Sequence, residues 1–131
     1  MLNNADTLKE EDLDAIVGKS DKLPMKQDRP YTMVGSRSHM SPETSEYFEG
    51  VKAKHPDAEI ISKGSSLKIC MVAEGSADVY PRFAPTMEWD TAAGHGIAKY
   101  AGLDIFNPKS DTPLVYNKMD LLNPWFIVKP V

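Results

Sequence analysis

The segment GSSLKICMVAEGSADVYPRF (Gly64–Phe83) runs, across Ala84, into PTMEWDTAAGHGIAKYAG (Pro85–Gly102). Gly64, Ser65 and Ser66 open a helix whose middle is apolar nearly all round, which implies burial, and Gly75 is placed to end it. ADVYPRF then alternates like a strand. A second helix is expected from about Asp90 to Ala101, stopped by Gly102. Trp89, Ala93, Ile97 and Tyr100 recur along it at helical spacing. Helix, strand, helix within forty residues is the rhythm of an α/β layer.

The flanks keep that rhythm. YTMVGS from Tyr31 reads as a strand, and SPETSEYFEGVKAK as a helix with Ser41 as cap and Pro42 in the first turn. DAEIIS (Asp57–Ser62) returns to strand character, and LDIF, PLVY and WFIVKP close the chain as short strands. The expected fold class is therefore α/β: a layered, largely parallel or mixed sheet flanked by helices. Residues 1–30 differ, being polar and charged, with one short amphipathic helix around Leu8, Leu13, Ile16 and Val17. They read as a linker ending at Pro30, with one α/β domain over residues 31–131.

Bulk properties narrow the function. The chain has 131 residues, 41% hydrophobic and 26% charged, a globular composition for one domain with a modest core. A formal net charge of −4 argues against a nucleic-acid partner. The single cysteine, Cys70, excludes an internal disulfide framework and fits a reducing compartment. No apolar run approaches the roughly 18 residues of a membrane span. The expected location is cytoplasmic, with peripheral association to the inner membrane as a variant.

Ligands of open α/β sheets sit at the carboxyl ends of strands, where helices begin. Two such junctions carry chemistry. At the first, Ser65 and Ser66 with the helix N–H groups offer an anion site, and Lys68 lies one turn inside. The plainer alternative is a serine cap with a lysine whose stem reaches out to water. At the second, Arg82 sits late in its strand with a fork suited to phosphate or a purine face, or is a surface arginine. Asp90 begins the next helix and either caps it or presents oxygens to a hard cation such as Mg²⁺. Ala92, Ala93, Gly94 and Gly96 allow close approach by a neighbouring helix or a ligand. His39 follows a strand and can face the same cleft. His55 in a turn and His95 inside a helix have no zinc-like spacing, and Cys70 is a small buried hydrophobe.

Taken together, GSSLK, YPRF and WDTAAGH resemble the carboxy-terminal half of the lithium-sensitive, Mg²⁺-dependent phosphatases of the inositol monophosphatase superfamily. Within it they are most similar to the CysQ-type 3'(2'),5'-bisphosphate nucleotidases. SRSH (Ser36–His39) and LNPWFIV (Leu122–Val128) fit as well, so the resemblance runs from about residue 30 to the end. It implies the carboxy-terminal domain of the inositol monophosphatase-like sugar phosphatase fold. The implied reaction is hydrolysis of adenosine 3',5'-bisphosphate to AMP and phosphate, a by-product step of sulfate assimilation. The resemblance makes Asp90 a ligand to Mg²⁺ and puts His39, Ser65, Lys68 and Arg82 in the nucleotide site.

One departure stands out. Family members carry upstream a D-P-[IL]-D-G-T motif and an earlier glutamate that complete the metal cluster, and this sequence has no Asp-Gly and no Asp-Pro pair. The expectation is a fragment that begins in the linker between two halves and holds no complete catalytic set. Negligible catalysis by this chain alone is expected, because one carboxylate cannot build a multi-metal site. The missing amino-terminal half is the implied partner, and its absence is expected to expose an apolar patch and favour self-association. An inositol monophosphatase fragment is the alternative within the enzyme class. A non-catalytic nucleotide- or anion-binding module, and an α/β domain without a ligand site, are the alternatives outside it.

Overall fold

A computed structural model describes residues 10–36 and 40–131. The elements are α1 (Glu10–Val17), β1 (Thr32–Ser36), α2 (Pro42–Lys54), β2 (Glu59–Lys63), α3 (Leu67–Glu74), β3 (Tyr80–Arg82), α4 (Glu88–Tyr100), β4 (Leu103–Asn107), β5 (Thr112–Pro113) and β6 (Phe126–Pro130). The helix stops are those chemistry dictates. Ser41 accepts the Thr44 N–H at the head of α2, and Gly75 ends α3 in the left-handed region at φ 95°. A side chain at Gly75 would also collide with the Met25 carbonyl, 2.2 Å from the position of a Cβ.

β1 and β2 pair in parallel, Thr32 against Glu59 through Ser36 against Lys63. β3, β6, β4 and β5 form an antiparallel ribbon in that order. The two parts meet at a parallel bridge between Met33 and Val79, with the Val34 N–H donating to Val79 O and the Asp78 N–H to Thr32 O. The resulting order is β2-β1-β3-β6-β4-β5. β1, β2, β3 and β4 run the same way, and β6 is wedged antiparallel between β3 and β4. The sheet is thus mixed, with its parallel pairings confined to the β2-β1-β3 side.

Alternation along the strands divides two cores. Val34, Tyr80, Phe126 and Val128 face α3 and α4 and pack with Ile69, Val72, Ala73 and Ala98. Met33, Val79 and Ile127 face the other way, against Tyr47, Phe48 and Phe83. α2 therefore lies on one face, and α3 and α4 on the other. α3 and α4 approach closely at Gly94, where a Cβ would stand 3.0 Å from Ile69 Cδ1. Ala92, Ala93 and Gly96 are exposed, so of the four small residues only Gly94 serves this contact.

The Trp89–Ala93–Ile97–Tyr100 stripe, expected at helical spacing, lies on the outward face of α4. Trp89 is 66% and Tyr100 96% exposed, while Thr91, Gly94, His95 and Ala98 face inward. The inward face of α4 carries polar side chains that are satisfied by buried hydrogen bonds. One expectation changes. PLVY, expected as a strand, pairs only through Thr112–Pro113, with Leu114 N donating to Ile105 O. Glu88 takes the Asn117 and Lys118 N–H groups and pairs with the Lys118 ammonium, and Asn117 adopts φ 61°, so the chain turns away from the sheet.

The segment before β1 is strapped to the domain. Met25 N donates to Glu74 O, Arg29 forks onto Gly75 O from Nε and Nη2, and its Nη1 pairs with Asp78.

Candidate functional site

The crossovers place the site. β1 leads through α2 to β2 on one side, and β2 leads through α3 past β1 to β3 on the other, with α2 and α4 on opposite faces of the sheet. That reversal creates a crevice outside the carboxyl ends of β1 and β3, where open α/β sheets hold ligands. A cleft of about 560 Å³ lies there, with Ser36 from the end of β1, Arg82 from the end of β3 and the Gly64–Ser66 turn along its wall. Trp89, Asp90 and Thr91 close it from α4.

Ser65, Lys68, Arg82 and Asp90 therefore line one cavity. His39 lies outside the described residues. Of the remaining histidines, His55 stacks on Tyr31 with ring centroids 4.1 Å apart, and His95 is buried behind α4.

At the first junction neither serine caps the helix with its side chain. Ser66 occupies the cap position without a side-chain bond, and Ser65 is held in the left-handed region at φ 56°, a conformation a non-glycine residue adopts at a cost. Lys68 does not reach out to water. It is 4% exposed, lies over the Tyr80 ring and donates from Nζ to Lys63 O at 3.2 Å and Ser65 O at 3.0 Å. Burial lowers its pKa, and the nearby Arg82 guanidinium lowers it further. Arg82 has no carboxylate partner among the described residues, and its Nε is buried without a hydrogen-bond partner. Two adjacent cations, two exposed hydroxyls and a helix N-terminus share one wall. Such a set attracts an anion with several oxygens.

At the second junction Asp90 is the third residue of α4, not its cap. The cap residue is Met87, whose N–H donates to Asp90 Oδ2 at 2.8 Å while the Asp90 N–H donates to Met87 O at 3.0 Å. This reciprocal pair fixes the carboxylate at the helix's positive end. Two residues that sequence reasoning passed over hold the turn. Asn123 Nδ2 lies within hydrogen-bond distance of Thr86 Oγ1, Met87 O and Thr91 Oγ1, and Glu88 anchors the 117–118 turn. Hydrogen bonds from the Lys118 ammonium, and from the Asn117 and Lys118 N–H groups, hold the Glu88 carboxyl below its ordinary range against the cost of burial. The signal for Glu88 was present, since an acid in a first turn seeks donors.

Among the described residues no group of three or more His, Cys, Asp and Glu side chains could hold a metal ion. Asp90 fits as one ligand of a cation, with Oδ2 occupied by Met87 and Oδ1 available, and it does not make a metal site by itself.

The fold and cleft define an α/β domain whose cleft is lined by two cations, by Ser65 and Ser66, and by a single fixed carboxylate. Residues 7–127 match the inositol monophosphatase family, and the chain belongs to it. A 3'(2'),5'-bisphosphate nucleotidase CysQ of Salmonella typhimurium is 42% identical over 111 residues, which are 85% of this chain and 44% of the relative. The crystal structure of CysQ from Bacteroides thetaiotaomicron matches 90% of this chain and 44% of its own, with a TM-score of 0.82 and 56% identity. Inositol monophosphatase-II from Staphylococcus aureus shares the fold at TM-score 0.60 and 19% identity, over 86% of this chain and 41% of that one. The chain spans less than half the length of these relatives. No described helix is long and apolar enough to cross a membrane.

Proposed function

We propose that this chain forms the substrate-holding half of a Mg²⁺-dependent phosphatase that converts adenosine 3',5'-bisphosphate to AMP and phosphate, in the cytoplasm and within sulfur metabolism. The observation that carries the reading is the convergence of Ser65, Lys68, Arg82 and Asp90 on one cleft at the switch point of the sheet. Lys68 and Arg82 supply positive charge against a nucleotide phosphate, and the Ser65 and Ser66 hydroxyls and N–H groups supply donors. Asp90, fixed by Met87, offers its remaining oxygen to Mg²⁺. Bound Mg²⁺ supplies an activated water and neutralises charge on the transferred phosphoryl group. In the hydrolysis, water oxygen bonds to phosphorus, the bond from phosphorus to the 3'-oxygen breaks, and the 3'-oxygen leaves with a proton.

The remaining ligands belong in the length that the relatives have and this chain lacks, so the isolated chain is expected to show no measurable turnover. The outward stripe of Trp89, Ala93, Ile97 and Tyr100 is the surface we assign to packing against that additional length, or to self-association when it is missing.

The test is an amide chemical-shift titration of the chain in Mg²⁺ buffer with AMP, and with inositol 1-phosphate in parallel. Shifts at Ser65, Lys68, Arg82 and Asp90 with AMP alone support the nucleotide reading. Shifts with the inositol ligand alone replace it with an inositol monophosphatase. No shifts with either would remove the cleft as a site in this chain.

A further inference from the structure

Behind Asp90, a chain of hydrogen bonds runs through the inward face of α4. Thr91 Oγ1 lies 3.2 Å from Glu88 O, and a carbonyl only accepts, so the threonine spends its one hydroxyl proton there. The Tyr116 hydroxyl stands 3.2 Å from Thr91 Oγ1 and must therefore donate to it. Asn123 Nδ2, 3.0 Å away, also donates to that oxygen. Having given up its proton, the Tyr116 oxygen can only accept from His95 Nδ1 at 2.8 Å. Nδ1 therefore carries a proton. On the far side of the ring, Nε2 is 2.5 Å from Asp104 Oδ1, which also accepts the Ile105 N–H at 2.8 Å. A bare Nε2 facing a bare carboxylate oxygen at that distance would be repulsive, so a second proton lies between them. Oδ1 already accepts the Ile105 N–H, the role of a carboxylate oxygen and not of an acid O–H, so the second proton is assigned to the ring.

We propose that His95 is held as an imidazolium against an ionised Asp104, and that this pair, acting through Tyr116 and Thr91, positions the first turn of α4 that carries Asp90. Both members of the pair are buried, and no other charged side chain is hydrogen-bonded to the ring. Burial pushes the Tyr116 hydroxyl upward, the bond to Thr91 opposes it, and Glu88 and Asp104 add to the upward push. The phenol thus stays a donor at neutral pH. The imidazolium fixes the direction of every bond in the chain, and Thr91 passes that order to Glu88 O, inside the turn that the Met87–Asp90 pair closes. His95 and Asp104 are positioning residues that touch neither cleft nor ligand. The positioning half of the proposal rests on the role given to Asp90 above, and the protonation half does not.

Long-range proton–nitrogen spectra of the uniformly labelled chain at neutral pH test it without AMP or Mg²⁺. Both His95 ring nitrogens are expected to report attached protons, and a ring with one bare nitrogen overturns the proposal. Hydrogen exchange of the Met87 amide is the second readout, measured with Asp104→Ala and Asp104→Asn. Asp104→Ala is expected to speed exchange about tenfold, the effect of one lost buried hydrogen bond. Asp104→Asn, whose amide can donate to Nε2 of a neutral ring, is expected to restore it. Met87 exchange unchanged in Asp104→Ala would overturn the positioning role. If Asp104→Ala does not fold, the ring spectrum of the unaltered chain and the Asp104→Asn exchange rate still decide. An AMP titration without shifts, beside a doubly protonated ring, would fail the proposed function and leave this inference standing.

Discussion

The two strand-to-helix junctions that form the cleft are built on opposite plans. Between β2 and α3, the chain enters the helix without a side-chain cap, through Ser65 in a strained conformation, and its carbonyls are gathered by a buried lysine. Between β3 and α4, the acids and the Asn123 amide nitrogen are tied down, with Asp90 on Met87, Asn123 Nδ2 across Thr86, Met87 and Thr91, and Glu88 on the 117–118 turn, while the Arg82 Nε is left unpaired. The unspent donors are the two serine hydroxyls of the first junction and Arg82 of the second, whereas the carboxylates of the second are already paired. On the function proposed above, a wall that receives an anion keeps its hydrogen-bonding capacity for the ligand, whereas a carboxylate that meets a cation at a set place is immobilised beforehand.

The largest effect is expected where the second junction is cut. Asn123→Ala removes the amide that joins residues 86, 87 and 91 and leaves buried acceptors unpaired, for a loss of about 2–3 kcal/mol in urea unfolding. A loss below about 0.5 kcal/mol would show the clamp to be ornamental. At the first junction the effect should fall on binding. Lys68→Met keeps the stem packed against Tyr80 and removes a buried charge, so stability should change by less than about 1 kcal/mol. The AMP dissociation constant from the shift titration should rise about tenfold, or ~1.4 kcal/mol. Equal affinity in Lys68→Met would mean that the lysine serves only to hold the turn. The smallest effect sharpens the contrast between caps. Ser41→Ala, which breaks a real cap bond, should cost about 1 kcal/mol, and Ser66→Ala less than about 0.5 kcal/mol, by thermal unfolding.

Much of this was legible in the residues. Ser41 with Pro42 announced α2, Gly75 the end of α3, and the alternation of ADVYPRF and WFIVKP two strands, because these signals are local backbone chemistry. The cleft was legible through strand order, since ligand crevices follow from crossovers. What stayed hidden is non-local. Apolar spacing on α4 could not reveal that Thr91 and His95 would be the buried side, because their burial depends on Tyr116, Asp104 and Asn123, distant in sequence. Asp90 was placed at the helix start within two residues, and whether it caps or is itself held depended on where the backbone began to turn. The alternative in which Lys68 reaches solvent stood open because sequence does not show that Lys63 and Ser65 carbonyls lie within reach.

The narrow joint between β1 and β3 has a mechanical meaning. Two backbone hydrogen bonds and the Met33–Val79 bridge are the pairing between the β2-β1 part of the sheet and the four-stranded ribbon. Below that seam the strands part, and the cleft opens between Ser36 and Arg82. A molecule gripping both sides would sit there like a rivet across two plates. If the chain were pulled apart along the seam, the force needed to open it should climb with ligand concentration, while the force needed to separate β4 from β6 should not.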